Sequence, residues 1–127
     1  MENDFNCAQE CARRIFDMAG VGCDKRDMDR LSLMGDGLGC GSVCGAIIGA
    51  FYVLGKVFEG EKSEELRYEM IVDFVDRFKY IDCTRLERHF DNDCRDIKER
   101  VCFKAYELIK NRTKWKNVWI RIIKRWL

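Results

Sequence analysis

The chain has 127 residues, the length of one domain, and its composition excludes several classes of protein. Hydrophobic residues make up 47% and charged residues 35%, enough to build a core and to solvate a surface, so the chain is not intrinsically disordered. The 23 basic and 22 acidic residues nearly cancel, and most of the chain is acidic, so nucleic acid is not an expected partner.

The hydrophobic pattern predicts an all-α fold. There is no proline, the commonest helix breaker, and no stretch alternates apolar and polar residues as a half-buried strand does. We therefore expect a compact helical bundle of about five to seven helices.

The first half of the chain contains two predicted helices and then a glycine-rich loop. The first helix is predicted at 7–19, capped by Asn6 and ended by Gly20 and Gly22, and the second at 24–34. Four glycines follow within residues 35–41. Such density permits a tight backbone path and lets main-chain N–H groups approach another group closely.

A third helix is predicted at 43–58, with Ser42 as its cap. It is apolar nearly all round, which places it at the centre of the bundle, and it is shorter than the ~20 residues that a membrane span needs. Gly45 and Gly49 lie one turn apart, a spacing that lets a neighbouring helix approach closely.

The second half of the chain is predicted to be helical as well. A turn at 59–62 leads to a fourth helix at 63–80, with Glu64 and Glu65 in its positive first turn. Shorter helices are predicted at 83–90 and 94–111, and a last one at 114–127.

The C-terminal segment differs from the rest of the chain in charge. From Lys110 onward there are seven basic residues and no acidic ones, which leaves 16 basic against 22 acidic residues before it. We therefore divide the chain into a cysteine-rich helical domain at 1–111 and a basic amphipathic helix at 112–127. Trp115, Trp119 and Trp126 share one face of that helix, which suits a membrane surface, although packing on its own acidic body or in a homodimer is the simpler interpretation.

The candidate functional residues of this chain are its cysteines. The chain has eight cysteines, and its first six residues show no secretory signal, so we expect a reducing, cytoplasmic environment. In such an environment, cysteine-rich chains are typical of metal or redox sites rather than of structural disulfides.

Four cysteines follow residues that favour helix N-caps, namely Cys7, Cys44, Cys83 and Cys94. A helix N-terminus stabilises a thiolate and lowers its pKa. We predict that the four thiolates gather in one site beside the glycine-rich loop, with Gly39, Gly41 and Gly45 close to the bound group and loop N–H groups hydrogen-bonded to sulfur. The alternative is that these cysteines are small buried hydrophobic residues.

The same cysteines carry a resemblance to a known family. Asn6-Cys7-Ala8-Gln9, the stretch Cys44-Gly45-Ala46-Ile47-Ile48-Gly49, and then Cys83 and Cys94 resemble the redox-active family named for its C_GCAxxG_C_C pattern, over roughly residues 5–110. This chain has Val43-Cys44-Gly45-Ala46 where the family pattern reads Gly-Cys-Ala.

The resemblance implies an all-helical redox domain whose shared cysteines map to Cys7, Cys44, Cys83 and Cys94, with Cys102 as an alternative for the fourth. A related domain accompanies split-Soret cytochromes and is associated with an iron–sulfur centre.

The sequence leaves three functions open, of which an enzyme that uses one thiolate as its nucleophile is the third and least favoured. In the first, the four cysteines bind an iron–sulfur cluster or form a thiol/disulfide couple and exchange electrons with a redox protein partner. In the second, they hold zinc in a structural or interaction module without redox turnover. No residue is assigned a catalytic role.

Overall fold

The structure is a computed structural model that describes the backbone of residues 5–58 and 63–126 and the side chains of residues 5–58 and 64–112. The described part contains six α-helices and no strand beyond one isolated bridge. The helices are α1 (Cys7–Ala19), α2 (Lys25–Arg30), α3 (Gly45–Phe58), α4 (Ser63–Phe78), α5 (Cys83–His89) and α6 (Arg95–Trp126). The predicted all-α fold is therefore confirmed.

Helix α1 begins and ends as the sequence predicts. The Asn6 side chain accepts a hydrogen bond from the Gln9 N–H, and the Gln9 side chain accepts one from the Asn6 N–H, which makes a capping box. Gly20 ends the helix in the left-handed region, with φ of 69°. Asn6 Nδ2 also donates to the carbonyls of Leu31 and Ser32, so the start of α1 is tied to the segment that follows α2.

Helix α3 occupies the centre of the bundle and packs against α1, α4 and α6. A Cβ placed on Gly49 would overlap with the Ala8 carbonyl and press on the Ala12 N–H, so this glycine lets α1 and α3 approach backbone to backbone. The predicted close packing is thus confirmed. The core around α3 is built from fully buried side chains, among them Phe16, Ile47, Met70, Phe74, Leu86 and Ile97.

One carboxylate is buried in the core. Asp27 of α2 is 1% exposed and accepts hydrogen bonds from the Tyr52 hydroxyl at 2.6 Å and from Lys56 Nζ at 2.8 Å to each of its oxygens. Burial raises the pKa of Asp27, but the hydrogen bonds from Lys56, Tyr52 and the Asp24 backbone outweigh burial and hold that pKa at about 2. Asp27 therefore joins α2 to α3 as a fully paired anion.

Helix α6 is held against its neighbours by charged contacts as well as by its apolar face. Lys98 Nζ lies 3.0 Å from Glu10 Oε2 of α1, and the Arg100 guanidinium forms a bidentate ion pair with the Asp73 carboxylate of α4. Arg112 Nη2 donates to Glu69 of α4 at 2.8 Å. These contacts fix the start of α6 against α1 and α4.

Several predicted helix boundaries are wrong. Helix α2 ends near Arg30 rather than at residue 34, because the carbonyls of Leu31 and Ser32 accept from the Asn6 side chain instead of continuing the helix. Helix α3 begins at Gly45 rather than at Val43, and Ser42 does not cap it, because Val43 forms an antiparallel bridge with Asp82. Helix α4 ends at Phe78, where Lys79 turns to a φ of 71°.

The two predicted helices at 94–111 and 114–127 form one continuous helix, α6. Residues 111–113 contain neither glycine nor proline, so nothing in the backbone breaks the helix there. The predicted division between residues 111 and 112 therefore falls within a helix.

Two predictions lie outside the described residues: the turn at 59–62, and the contacts of the tryptophan side chains at 115, 119 and 126. Within the described part of the chain, no helix combines the length and apolar character needed to cross a membrane.

Candidate functional site

A short backbone bridge brings Cys44 and Cys83 together. Val43 pairs with Asp82 in an isolated antiparallel bridge. The Cys44 N–H donates to the Ile81 carbonyl at 2.9 Å, and the Cys83 N–H donates to the Ser42 carbonyl at 2.6 Å. The bridge therefore holds the starts of α3 and α5 side by side, with a cysteine on each.

Cys7 reaches the same place from α1. Its Sγ accepts a hydrogen bond from the Asp36 N–H at 3.2 Å, so the glycine-rich loop does place a backbone donor on a cysteine sulfur. A Cβ on Gly45 would overlap with Cys7 Sγ. The sulfur of Cys7 therefore lies directly over the residue that follows Cys44.

Cys94 completes the group from the start of α6. Electrostatic interactions connect Cys94 to Cys7 and to Cys44, and connect Cys83 to the same two cysteines. We call Cys7, Cys44, Cys83 and Cys94 the four-cysteine site. All four stand at helix starts, as the capping pattern predicts: Cys7 and Cys83 are the first residues of α1 and α5, and the other two directly precede α3 and α6.

The predicted low pKa values are wrong for three of these thiols. Burial raises the pKa of Cys44 to about 11, although the backbone N–H groups of Ala46 and Ile47 favour its thiolate. Burial, together with a 3.3 Å hydrogen bond from Cys83 Sγ to Glu87 Oε1, raises the pKa of Cys83 to about 12. Burial also raises the pKa of Cys94. Desolvation therefore outweighs the helix N-terminus, and these thiols stay protonated near neutral pH in the absence of a metal.

The glycine-rich loop lies against the four-cysteine site. The glycines that make close contacts there only partly match the predicted set of Gly39, Gly41 and Gly45. The backbone is left-handed from Asp36 to Gly39 and again at Gly41. A Cβ on Gly37 would lie 2.6 Å from Cys83 Cβ, and one on Gly41 would overlap with the Thr84 hydroxyl. The predicted roles of Gly41 and Gly45 therefore have a steric basis beside the site, whereas a Cβ on Gly39 would face open space.

Sequence reasoning missed Gly35 and Gly37 as close contacts of the site. A Cβ on Gly35 would overlap with the Asn6 side chain, which caps the helix that carries Cys7. The density of glycines marked the loop, but only the long-range packing distinguishes the glycines in contact from the one in open space.

The remaining cysteines lie apart from the four-cysteine site or beneath it. Cys102 is 1% exposed and packs with Cys11, which is fully buried, so Cys94 rather than Cys102 stands with Cys7 and Cys44. Cys40 is exposed, with its Sγ 3.6 Å from the Gly37 carbonyl. Cys23 lies among Asp17, Asp24, Asp27 and Lys56 at the other end of α1. All eight cysteines are free thiols.

The described side chains do not meet the requirements of a single metal ion. Among them, no three His, Cys, Asp or Glu side chains form a group that could hold one ion. The sulfur ligands of one tetrahedral ion stand ~3.8 Å apart when each metal–sulfur bond is about 2.3 Å.

The fold and the site together define a small helical protein with a cysteine at each of four helix starts. The chain matches the family model described as "Putative redox-active protein (C_GCAxxG_C_C)" over residues 5–115, and it belongs to that family. Searches of curated proteins and of solved structures gave no match.

Proposed function

We propose that the four-cysteine site binds an iron–sulfur cluster through Cys7, Cys44, Cys83 and Cys94 and exchanges electrons with a redox protein partner. The observation that supports this most directly is the convergence of four free thiols from four helix starts. Such a cluster, when bound, supplies one-electron chemistry at a potential set by its charge, its burial and the hydrogen bonds to its sulfurs.

The surroundings of the sulfurs fit this ligand. The Asp36 N–H points to Cys7 Sγ, and the Ala46 and Ile47 N–H groups point to Cys44 Sγ. Donors of this kind stabilise anionic sulfur. Gly45 has no side chain that would displace Cys7, so the backbone stays close to the sulfur.

Binding of a metal centre requires these thiols to lose their protons. Glu87 contacts one of them, because its Oε1 accepts a hydrogen bond from Cys83 Sγ at 3.3 Å, which holds that side chain at the site and favours the thiol over the thiolate until a metal binds. Glu87 itself is exposed. We therefore assign Glu87 a positioning role at the edge of the site.

A thiol/disulfide couple is the second candidate. It is favoured by the position of Cys7 Sγ, which lies against Gly45, the residue that directly follows Cys44. Structural zinc is the third candidate. It fits less well, because a single zinc ion needs its sulfur ligands close around one point, and no group of three described ligands meets that need.

We place the contact with the redox partner on the segment that carries Asp36. Leu33 is 84% exposed, Met34 40% and Leu38 45%, so apolar side chains face solvent on the same loop that touches Cys7. Exposed apolar clusters are typical of protein contact sites. Eight free thiols favour the reducing cytoplasm as the location of this chemistry.

Visible absorption of anaerobically purified protein tests the proposal. We expect a brown protein that contains iron and acid-labile sulfide and is bleached by dithionite. Colourless protein with stoichiometric zinc would overturn the proposal in favour of zinc, and colourless, metal-free protein with reversibly oxidised thiols would overturn it in favour of the couple.

The matched variants are Cys44→Ser and Cys23→Ser. Cys44→Ser removes a sulfur of the four-cysteine site and should abolish the colour while helix content survives. Cys23 interacts with none of those sulfurs, so Cys23→Ser should retain the colour.

A further inference from the structure

Two cysteines outside the four-cysteine site form a buried pair. Cys11 of α1 is 0% exposed and Cys102 of α6 is 1% exposed. The Cys102 thiol donates to the Cys11 carbonyl at 3.8 Å, across 91 residues of sequence, and each cysteine shifts the pKa of the other. The two cysteines therefore pack together inside the core, out of contact with solvent.

This pair lies next to the four-cysteine site. Cys11 is one helical turn beyond Cys7, on the same face of α1, and it interacts electrostatically with both Cys7 and Cys44. Cys7 is partly exposed, whereas Cys11 is not. A path for disulfide exchange therefore runs from partly exposed Cys7, beside buried Cys44, inward to Cys11 and then to Cys102.

We propose that Cys11 and Cys102 form a second, internal dithiol that receives the oxidation of Cys7 and Cys44 by thiol–disulfide exchange. The inference rests on the thiol/disulfide couple, the second candidate function, because Cys7 and Cys44 sulfurs that ligate a cluster are not free to exchange disulfides. It assigns a redox role to two cysteines that lie outside the four-cysteine site.

The exchange is balanced within the protein once Cys7 and Cys44 are joined. That first disulfide forms by exchange with an external disulfide, which leaves as two thiols. The Cys11 sulfur then attacks Cys7, and its proton goes to the departing Cys44 sulfur. The Cys102 sulfur attacks Cys11, and its proton goes to the departing Cys7 sulfur. One S–S bond breaks and one forms, with two electrons passing from the inner pair to the outer pair.

Thiol mapping of the full-length purified protein tests the relay. The protein is exposed to glutathione disulfide, quenched in acid, and alkylated at its remaining thiols. It is then digested after glutamate and after basic residues, which separates Cys7 from Cys11 at Glu10. We expect peptides linked through Cys11 and Cys102 to accumulate. Cys11 and Cys102 that remain thiols after Cys7 and Cys44 are oxidised would overturn the proposal.

Variants test the direction of the relay. In Cys7→Ser, the Cys11–Cys102 disulfide should form at least about tenfold more slowly, because the surface entry is lost. In the control Cys23→Ser it should form at the rate of the unmodified chain, and an equal rate in Cys7→Ser would overturn the relay. Cys102→Ser should trap Cys11 in a mixed disulfide with Cys7 or Cys44, and absence of that species in folded protein would also overturn it.

The test is separable from that of the iron–sulfur proposal. Brown, iron-containing protein in which Cys11 and Cys102 never oxidise would overturn the relay and leave the iron–sulfur proposal standing. Colourless, metal-free protein that accumulates the Cys11–Cys102 disulfide would overturn the iron–sulfur proposal and support the relay.

Discussion

The sulfur of Cys7 lies against the backbone of Gly45, so closely that a Cβ on Gly45 would overlap with it. This contact joins the first turn of α1 to the first turn of α3, and it puts Cys7 beside Cys44. One glycine thus controls both the packing of two helices and the geometry of the four-cysteine site.

Gly45→Ala should damage the site more than the fold. The new methyl group would displace Cys7 Sγ and press on the Gly35 backbone, and overpacking of this kind costs about 1–3 kcal/mol of unfolding free energy. We expect loss of the redox centre, measured by visible absorption and thiol titration, with helix content by circular dichroism retained.

Two other glycines of α3 provide matched controls. Gly49→Ala would overlap with the Ala8 backbone, so it should destabilise the fold without touching Cys7. Gly55→Ala has open space and should stabilise the helix by up to about 1 kcal/mol. A Gly45→Ala protein with an intact redox centre would contradict the contact.

Asn6→Ala should weaken the start of α1. It removes the acceptor for the Gln9 N–H and the two bonds from Nδ2 to Leu31 and Ser32, and loss of a cap alone costs about 1 kcal/mol. Asn6→Asp keeps the acceptor and loses only the donors. Thermal unfolding should rank the proteins as unmodified, then Asn6→Asp, then Asn6→Ala, and equal stability of all three would contradict the role of Asn6.

Glu87→Gln should make Cys83 more reactive in metal-free protein. Burial and the negative charge of Glu87 together raise the pKa of the Cys83 thiol, so removal of the charge lowers that pKa and increases the thiolate fraction at pH 8. Alkylation of Cys83 by iodoacetamide, followed by mass spectrometry, should become several-fold faster. The control is Glu64→Gln on α4, which should leave the rate unchanged, and an unchanged rate in Glu87→Gln would contradict the assignment.

Asp27 should make the fold sensitive to acid. Its pKa of about 2 in the folded protein lies below the ~3.9 of an unfolded aspartate, so the contribution of its charge to stability is complete above pH 4 and is lost as pH falls from about 4 to 2. That contribution is about 2 kcal/mol. Urea unfolding between pH 2 and 5 should show the loss.

Asp27→Asn removes the anion that pairs with Lys56 and should lower stability by about 3 kcal/mol at neutral pH while flattening the acid dependence. Asp29→Asn, at an exposed position on the same helix, is the control and should change neither. An acid profile of Asp27→Asn that matches the unmodified chain would contradict the assignment.

Local signals predicted much of this fold. Asn6 and Gly20 marked both ends of α1, and the predicted helix starts at residues 63, 83 and 94 lie within one residue of the starts of α4, α5 and α6. The cap positions also placed all four cysteines at helix starts. These features depend on residues within one or two turns of each other, which is the range over which sequence patterns act.

The features that the sequence did not reveal depend on distant contacts. Nothing local indicates that Val43 pairs with Asp82, or that Cys11 meets Cys102 across 91 residues. The pKa of Cys44 was predicted with the wrong sign because burial, which only tertiary packing sets, outweighs the helix N-terminus. Long-range packing likewise selects Gly37 over Gly39 as the glycine in contact with Cys83.

The central claim is that Cys7, Cys44, Cys83 and Cys94 act as one redox centre. An anaerobic redox titration of the unmodified chain and of the four single serine variants at these positions, followed by absorption and thiol count, tests it most directly. We predict one shared transition that every one of the four variants loses and that Cys23→Ser and Cys40→Ser retain. A transition that survives unchanged in Cys44→Ser, or that disappears equally in Cys23→Ser, would contradict the claim.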